Sequence, residues 1–314
     1  MSRLVVVTGG GGFIGGNLVR ALLDRGDRVR VLDNFSTGNR GNLAGLEDDI
    51  ELVEGELRSY ERVHAAIRQA EIVFHQGALP SVPRSVQDPL TTSAVNVEGT
   101  LNVLLAARDE GVRRIIFASS SSVYGSSGTL PRVETDHVDP IAPYAVSKLA
   151  AERYCVSFSR VYPQLETVCL RYFNVFGPGQ DPRSQYAAVV PRFITAAGQG
   201  RPLSIYGDGE QSRDFTFVSN VVEANLLAAD AAEANGAVLN VATGAPVSVN
   251  GLADLVGELT GRPIERDYLP TRAGDVRDSW ADIGAAKRVL GYEPGVDLRE
   301  GLLRTIEALV GSKA

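Results

Sequence analysis

A short apolar strand that runs into a glycine-rich turn constrains the fold of this chain more than any other feature. Leu4 to Val7 is a continuous β-branched and apolar run, which is typical of a strand buried on both faces. TGGGGFIGG, Thr8 to Gly16, follows it and is succeeded by a helical pattern from Leu18 to Leu23. A flexible glycine loop is one interpretation, but the place between a strand and a helix favours a turn that receives a pyrophosphate.

Three glycines in this turn have GxxGxxG spacing, at Gly9, Gly12 and Gly15. The first permits a tight turn, the second lets backbone N–H groups approach a phosphate, and the third lets the helix close on the strand. Val29 to Leu32 gives a second strand that ends in Asp33, at about the 20-residue spacing of dinucleotide-binding folds. Together these features predict a dinucleotide site.

The carboxylate of Asp33 would accept hydrogen bonds from the adenosine ribose and would repel a 2′-phosphate. We therefore predict NAD rather than NADP as the cofactor. Two alternatives stay open, because Asp33 can be an ordinary turn residue and Arg40 lies near enough in sequence to bind a phosphate.

Strand-like and helical segments then alternate along the chain. The further strands are predicted at Ile50–Val53, Ile72–Phe74, Val112–Phe117 and Thr167–Arg171, and the helices at Tyr60–Gln69, Ala94–Ala107 and Tyr144–Tyr162. This alternation predicts an α/β protein with a doubly wound parallel sheet, the Rossmann fold.

The sequence changes character after Gly177, where prolines and glycines separate short periodic segments. We interpret this as the start of a smaller substrate domain. The predicted division places residues 1–175 in the dinucleotide-binding domain and 176–314 in the C-terminal domain. Parts of 215–242 return to the sheet, with a helix at Val218–Ala232 and a strand at Leu239–Val241.

Composition excludes several classes of partner. The net charge is −7 and no basic run occurs, which argues against nucleic acid or an anionic membrane as the main partner. Two isolated cysteines and three scattered histidines give no metal-ligand pattern. Residues 2 and 3 lead directly into a strand and no long apolar run follows, so we expect a cytoplasmic protein without a membrane span.

The motif YAVSK places a phenol and an ammonium four residues apart, at Tyr144 and Lys148 on one face of a predicted helix. A fixed cation favours the phenolate, so we expect Lys148 to lower the pKa of Tyr144 and make it an acid/base. An ordinary surface pair is the alternative. The serine run Ala118 to Gly125 follows the fifth strand at the end where ligands of such sheets bind, which favours a catalytic hydroxyl over a plain polar loop.

Two arginines near the C-terminal end suit a diphosphate, which is bound well by the two-pronged hydrogen bonds of guanidinium groups. We expect Arg213 in a glycine-flanked turn and Arg272 in the similar segment TRAGD. Surface salt bridges are the alternative for both residues.

These motifs together resemble the extended short-chain dehydrogenases/reductases of the NAD-dependent epimerase/dehydratase family, and UDP-glucose and UDP-N-acetylglucosamine 4-epimerases in particular. The resemblance extends over nearly the whole chain, in TGGGGFIG, DNFSTG, SVPRSVQDP, SSSSVYG, YAVSK, RYFNVFGPGQDP, GDGEQSRDF and RAGDVRDSWAD.

The resemblance implies three sets of site residues. Catalytic roles fall on Ser120, Tyr144 and Lys148. Cofactor roles fall on Gly9, Gly12, Phe13, Ile14, Gly15, Asp33, Asn34, Gly38, Glu56, Leu57, Gln76, Ala78, Tyr144 and Lys148. Substrate roles fall on Ser81, Ser120, Ser122, Tyr144, Asn174, Arg213, Arg272, Asp275 and Ser279. No metal is implied, and the expected partners are a UDP-sugar and a second copy of the chain, joined through the helices Ala94–Ala107 and Tyr144–Tyr162.

The chain departs from the family pattern at three positions. Glu56 stands where the family usually has Asp, and Pro80 stands where some epimerases have a lysine. Ser279 stands where epimerases restricted to plain hexoses have a tyrosine before Trp-Ala-Asp, which implies a roomier sugar pocket.

The implied reaction is epimerisation at C4. The Tyr144 phenolate removes the 4-OH proton while hydride passes from C4 to NAD, and the 4-keto sugar turns over and takes hydride back on its other face. A nucleotide-sugar 4,6-dehydratase is a rival, but its TDE loop is replaced by Ser121 and Ser122. A UDP-glucuronate 4-epimerase or decarboxylase is another, with Arg84 or Arg183 for the carboxylate. A non-catalytic NAD(P)-sensing regulator is the third, although it would not need Ser120, Tyr144 and Lys148.

Overall fold

The structure is a computed structural model that describes residues 2–126, 128–181, 188–271 and 276–311. Its central sheet has seven strands, all joined by parallel pairing. In chain order they are β1 (Leu4–Thr8), β2 (Arg28–Asp33), β3 (Ile50–Glu54), β4 (Ile72–His75), β5 (Arg114–Ser120), β6 (Glu166–Tyr172) and, later in the chain, β11 (Val238–Val241).

Helices cover both faces of the sheet. The N-terminal ones are α1 (Phe13–Asp24), α2 (Tyr60–Ile67), α3 (Val82–Gln87), α4 (Pro89–Ser93), α5 (Gly99–Asp109) and α6 (Pro143–Val161), with a π-helix, Ala94–Glu98, joining α4 to α5. The C-terminal ones are α7 (Val189–Gly198), α8 (Val218–Asp230), α9 (Val249–Thr260), α10 (Gly284–Leu290) and α11 (Leu298–Gly311). Short 3₁₀ turns lie at Arg40–Leu43, Ser121–Tyr124 and Ala232–Ala234.

Across the sheet the strands run β3, β2, β1, β4, β5, β6, β11. The order reverses between β1 and β4, and ligands of open α/β sheets bind beyond the carboxyl ends of strands at such a point. The glycine turn after β1 and the segment after β4 therefore meet at one edge. This architecture confirms the predicted doubly wound parallel sheet.

The core lies on both sides of the sheet because side chains of one strand alternate between its faces. Val5 and Val7 of β1 pack into one hydrophobic cluster and Val6 into the other. The first cluster also contains Phe193 of α7 and Leu252 of α9, so the C-terminal part packs directly on the sheet. We propose that residues 1–175 form the dinucleotide-binding domain and residues 176–314 the substrate domain.

Within its described residues, the C-terminal part adds six short strands in three separate two-stranded ladders. They are β7 (Val175–Phe176), β8 (Leu203–Tyr206), β9 (Ser212–Asp214), β10 (Thr216–Phe217), β12 (Pro246–Ser248) and β13 (Arg266–Leu269). β10 pairs with β7, β13 with β8, and β12 with β9. Only the β12–β9 ladder is antiparallel.

Two element bounds differ from the sequence prediction where the site is built. Helix α1 begins at Phe13 rather than Leu18, and Gly15 in its first turn lies where an added Cβ would be 2.1 Å from the carbonyl oxygen of Gly9. Strand β5 continues to Ser120 instead of ending at Phe117, because Ala118 to Ser120 pair with β6. In the ranges that the structure covers, no helix combines the length and apolar character needed to cross a bilayer.

Candidate active site

The glycine turn after β1 leaves space at the N-terminus of α1. Gly9 has a positive φ of 71°, and its N–H donates to the carbonyl of Leu32 at 2.8 Å, which ties the turn to β2. Gly12 is the N-cap of α1 and makes no side-chain capping bond. An added Cβ at Gly9 would lie 2.6 Å from the Cα of Gly77. Since a helix N-terminus attracts anions, this cradle fits a pyrophosphate.

Asp33 lies at the carboxyl end of β2 and is almost fully buried. Its carboxylate accepts the N–H of Gly11 at 2.8 Å and the N–H of Phe35 at 2.7 Å. These two bonds fix the carboxylate next to the glycine turn, where its remaining lone pairs suit ribose hydroxyls.

Arg40 is the residue whose place in the sequence would allow it to bind the 2′-phosphate of NADP. In the structure its guanidinium lies over the ring of Phe35, 4.1 Å from the centroid, and forms an ion pair with Glu54. The guanidinium of Arg40 therefore already has two partners. Arg40 would have to give up its contacts with Phe35 and Glu54 to bind a 2′-phosphate.

The segment after β4 is held to the glycine turn by a buried hydrogen-bond chain. The N–H of Gly77 donates to Thr8 Oγ1 at 3.2 Å, and Thr8 Oγ1 lies 2.7 Å from His75 Nδ1. His75 Nε2 lies 3.0 Å from Thr100 Oγ1, which donates to the carbonyl of Asn96 at 2.6 Å. Because Thr100 uses its proton on Asn96, the chain requires a proton on Nε2 and none on Nδ1. Burial lowers the pKa of His75 to about 3, with Lys148 adding to the effect, so the ring stays neutral.

A cavity of about 300 Å³ connects these elements. All fourteen residues assigned to the cofactor by resemblance line it: Gly9, Gly12, Phe13, Ile14, Gly15, Asp33, Asn34, Gly38, Glu56, Leu57, Gln76, Ala78, Tyr144 and Lys148. Glu56, one of the three departures from the family pattern, is exposed at the wall and forms an ion pair with Arg58 at 2.6 Å.

Helix α6 carries Tyr144 and Lys148 into this cavity. Pro143 occupies its first position, and the N–H of Tyr144 donates to the buried Ser85 Oγ at 3.0 Å, which fixes the helix start. Lys148 is 4% exposed, and its Nζ donates to the carbonyl of Ala118 at 2.8 Å and lies 5.0 Å from the Phe117 ring centroid.

The electrostatics of this pair correct one expectation. Burial raises the pKa of Tyr144, opposed by a hydrogen bond with Ser120, whereas we expected Lys148 to lower it. Burial also lowers the pKa of Lys148 to about 8. The cause is desolvation, which disfavours the charged form of both groups and which the sequence does not show.

Ser120 ends β5 and begins the 3₁₀ turn. Its Oγ accepts the N–H of Ser122 at 3.2 Å and lies 2.9 Å from Ser122 Oγ. Ser120 therefore bonds Ser122 and lies near enough to Tyr144 to lower the pKa of its phenol.

A second cavity, of about 400 Å³, lies between β8, β9 and α7. Asn174 and Arg213, two predicted substrate residues, line it with Arg192 and Tyr206. Arg213 does not lie in a turn as expected but in β9, because residues 212–214 pair with Pro246–Ser248. Its Nη1 donates to the carbonyls of Ser212 and Arg277 at 2.8 and 2.7 Å.

Of the other predicted substrate residues, Ser279 and Ser81 make backbone or capping contacts, and two lie outside the described residues. The N–H of Asp214 donates to the carbonyl of Ser279 at 3.0 Å, so Ser279 lies beside Arg213, although neither cavity has it among its described lining residues. Ser81 caps α3 and accepts the N–H of Arg84 at 3.1 Å. Arg272 and Asp275, and Arg183 of the rival reading, lie outside the described residues.

The sequence analysis missed several polar residues at or behind the wall of the cofactor cavity, among them Tyr172 and Asn96. Tyr172 lines it, and its hydroxyl meets Asn225 and Gln76 at 2.8 and 3.2 Å. Buried Asn96 in the π-helix bonds the backbone of Leu79 and donates to Ser147 Oγ of α6 at 3.0 Å. Tyr172 stands inside the motif RYFNVFGPGQDP, but its partners and those of Asn96 are distant in sequence, so no local spacing marks either role.

The donor set and the glycine cradle thus fit NAD, and a phenol and an ammonium line the same cavity. A dinucleotide site with an acid/base pair in its wall defines a dinucleotide-dependent enzyme of the Rossmann class.

Comparison with known proteins gives the family. The model of the NAD dependent epimerase/dehydratase family matches residues 5–242. The UDP-glucose 4-epimerase of Mycolicibacterium smegmatis is 39% identical over 96% of this chain and 97% of its own. The UDP-glucose 4-epimerase of Thermotoga maritima, solved with UDP-glucose, has a TM-score of 0.95 and 38% identity, over 99% of this chain and 100% of its own.

A UDP-N-acetylglucosamine 4-epimerase of Methanobrevibacter ruminantium, solved with UDP-N-acetylmuramic acid, has a TM-score of 0.94 and 38% identity, over 99% of both chains. This chain belongs to the NAD-dependent epimerase/dehydratase family, and NAD is its cofactor.

Proposed function

We propose that this protein interconverts the C4 epimers of a UDP-hexose or UDP-N-acetylhexosamine with NAD held in the first cavity. The observation that carries the proposal is the placement of Tyr144 and Lys148 in the wall of the NAD cavity, with Ser120 against the phenol. UDP-sugar 4-epimerases among the relatives support the choice of substrate class.

NAD bound in the first cavity would supply reversible hydride transfer at the sugar carbon. The protein's own residues manage the proton: Tyr144 takes it from the 4-hydroxyl and returns it after the sugar has turned over. Ser120 favours the phenolate by its hydrogen bond, because it lowers the pKa that burial raises. Lys148, with its buried ammonium, would hold the ribose of the bound cofactor.

The second cavity would anchor the nucleotide half of the substrate. Arg213 and Asn174 supply polar groups in walls that otherwise include Val175, Phe176 and Val189. Binding energy from the part of the substrate that does not react can hold the nucleotide while the hexose rotates. This arrangement allows both faces of C4 to be presented in turn.

The choice of sugar is proposed to depend on Ser279. A serine in place of tyrosine opens room for an N-acetyl group, so UDP-GlcNAc and UDP-GalNAc should interconvert as well as UDP-Glc and UDP-Gal. The Ser279→Tyr variant should lose hexosamine turnover and keep glucose turnover, since a clash costs more than unfilled space. Equal loss of both activities would contradict this role.

Purified protein incubated with these four sugars and UDP-glucuronate, followed by chromatographic separation of 4-epimers, tests the function. Turnover of UDP-glucuronate alone, or release of CO₂, would favour the glucuronate alternative, whose arginine candidate Arg84 lines neither cavity as described.

We also propose a homodimer. The sequence analysis expected its interface on the helices Ala94–Ala107 and Tyr144–Tyr162, but residues 94–107 expose no large apolar side chain, so α3 and α4 replace that helix in the proposal. Helices α3, α4 and α6 pack together and expose large apolar side chains: Val86 at 64%, Leu90 at 82%, Val146 at 51% and Tyr154 at 41%. A second copy would cover this face.

The two free, buried cysteines, Cys155 and Cys169, agree with the proposed cytoplasmic location.

A further inference from the structure

A buried ion pair lies beneath the catalytic residues and has no role in the proposed reaction. Arg171 of β6 donates from Nε and Nη2 to the two carboxylate oxygens of Glu152 on α6, at 2.9 and 2.7 Å. Both residues are at most 1% exposed. Burying two charges is costly, and a pair of well-packed apolar side chains often serves stability as well or better. Stability alone therefore does not explain why the chain has an ion pair at this place.

The surroundings of the pair lead to the catalytic serine. Ser119, next to Ser120 in β5, donates its hydroxyl to Glu152 Oε2 at 2.7 Å. The Arg171 guanidinium lies over the ring of Tyr124, 4.7 Å from its centroid, at the end of the turn that Ser120 begins. Glu152 thus holds the strand before Ser120, and Arg171 packs against the turn after it.

Successive side chains on one face of α6 contact successive residues at the end of β5. Lys148 Nζ donates to the carbonyl of Ala118, and the carboxylate of Glu152 accepts the hydroxyl of Ser119. Ser120 is the next strand residue, and its hydroxyl lies near enough to Tyr144 to lower the pKa of the phenol. Tyr144, Lys148 and Glu152 are each four residues apart and share one face of the helix. Two consecutive strand residues, Ala118 and Ser119, are therefore each held by a residue of the helical face that carries Tyr144, which fixes the register between the base and Ser120.

We propose that Glu152 and Arg171, acting through Ser119, are positioning residues that hold Ser120 against the phenol of Tyr144. This inference rests on the proposed function. The pair touches neither substrate nor reacting atoms, and its contribution to the rate comes from the distance between Ser120 and Tyr144. A misplacement of about 1 Å in an active site can cost about 100-fold in rate.

A double variant separates positioning from stability. Glu152→Leu with Arg171→Met removes both charges together, so no uncompensated buried charge is left. Ser119→Ala removes the hydrogen bond from β5 to Glu152 and keeps the ion pair. Thr167→Val is the matched control, because it deletes another buried hydrogen bond between β6 and α6, from Thr167 Oγ1 to the carbonyl of Cys155, farther from the site.

The measurements are kcat, KM for the UDP-sugar, retention of NAD and the urea midpoint of unfolding, all on the holoenzyme. We expect the double variant to keep its midpoint, NAD and KM while kcat falls by about 10- to 100-fold, and Ser119→Ala to lose about 10-fold in kcat. Thr167→Val should lose stability and keep kcat within about twofold. A folded double variant with wild-type kcat would overturn the proposal. If the double variant does not fold, a wild-type kcat in Ser119→Ala would overturn it instead.

A second readout does not depend on turnover. The Tyr144 phenol can be titrated by NMR with tyrosine labelled at Cζ, its signal being assigned with Tyr144→Phe. Because Ser120 lowers the pKa of Tyr144, loss of register should raise that pKa in Ser119→Ala and in the double variant, but not in Thr167→Val. An unchanged titration in both would refute the positioning role. A wild type that epimerises no UDP-sugar would refute the proposed function and leave this readout intact.

Discussion

Replacing Lys148 with methionine should stabilise the cofactor-free protein at neutral pH, although it should disable the enzyme. The ammonium is buried beside Phe117, with one hydrogen bond to the carbonyl of Ala118. Its pKa falls from 10.5 to about 8. At about 1.4 kcal/mol per pKa unit, holding the charged form in the folded state costs about 3 kcal/mol. Methionine removes that cost and gives up a hydrogen bond of about 1 kcal/mol, which leaves a net gain of about 2 kcal/mol.

The gain must depend on pH in one direction. A lysine with a depressed pKa binds fewer protons in the folded state than in the unfolded state between about pH 8 and 10.5. The wild type therefore becomes more stable, relative to Lys148→Met, as pH rises through this window. Above it the variant's advantage should be gone.

Urea unfolding of both cofactor-free proteins, at pH 7 and at several values up to 10.5, measures the difference in unfolding free energy. Taking the difference cancels the titration of the other groups. A methionine variant less stable than wild type at pH 7, or a difference that does not change with pH, would refute the account of a desolvated lysine. In the presence of NAD the order should reverse, because the variant should bind the cofactor more weakly.

The remaining predictions concern the base, the cofactor and the assembly. Tyr144→Phe should keep the fold and bound NAD and lose turnover by about 100-fold or more, as a kcat measurement with retained NAD absorbance would show. Asp33→Ala should weaken NAD binding and relax discrimination against NADP, since both the ribose acceptor and its repulsion disappear; titration with each dinucleotide checks this, and a wild type that prefers NADP would contradict it. Arg40→Ala, its matched control, should leave that discrimination nearly unchanged, because Arg40 is held by Phe35 and Glu54. Leu90→Glu should convert the proposed dimer to a monomer in light scattering, because it places a charge on the apolar face; a wild type that is already monomeric at micromolar concentration would count against the dimer.

The parts of the fold that were predicted from sequence are those coded by local patterns. The glycine turn, Asp33 at the end of β2 and the Tyr144–Lys148 pair each depend on residues close in sequence, and the structure collects them in one cavity. The parallel sheet followed from alternating segments. These features need no knowledge of distant contacts.

The features that sequence reasoning missed depend on distant contacts. Arg213 lies in a strand because residues 246–248 pair with it, and no local pattern shows that partner. The pKa of Tyr144 rises because the folded chain surrounds the phenol, which outweighs the charge pattern of YAVSK. The Glu152–Arg171 pair joins residues 19 apart in sequence across α6 and β6.

The most direct test of the central claim is the fate of the hydrogen at C4. UDP-sugar carrying deuterium at C4 is incubated in ordinary water with the purified protein and no added NAD, and both 4-epimers are analysed by mass spectrometry and NMR. Hydride transfer to bound NAD and back predicts that deuterium stays at C4 in both epimers, with no net formation of NADH. Loss of the deuterium to water, or NADH that accumulates as the sugar is consumed, would contradict epimerisation through an enclosed 4-keto sugar.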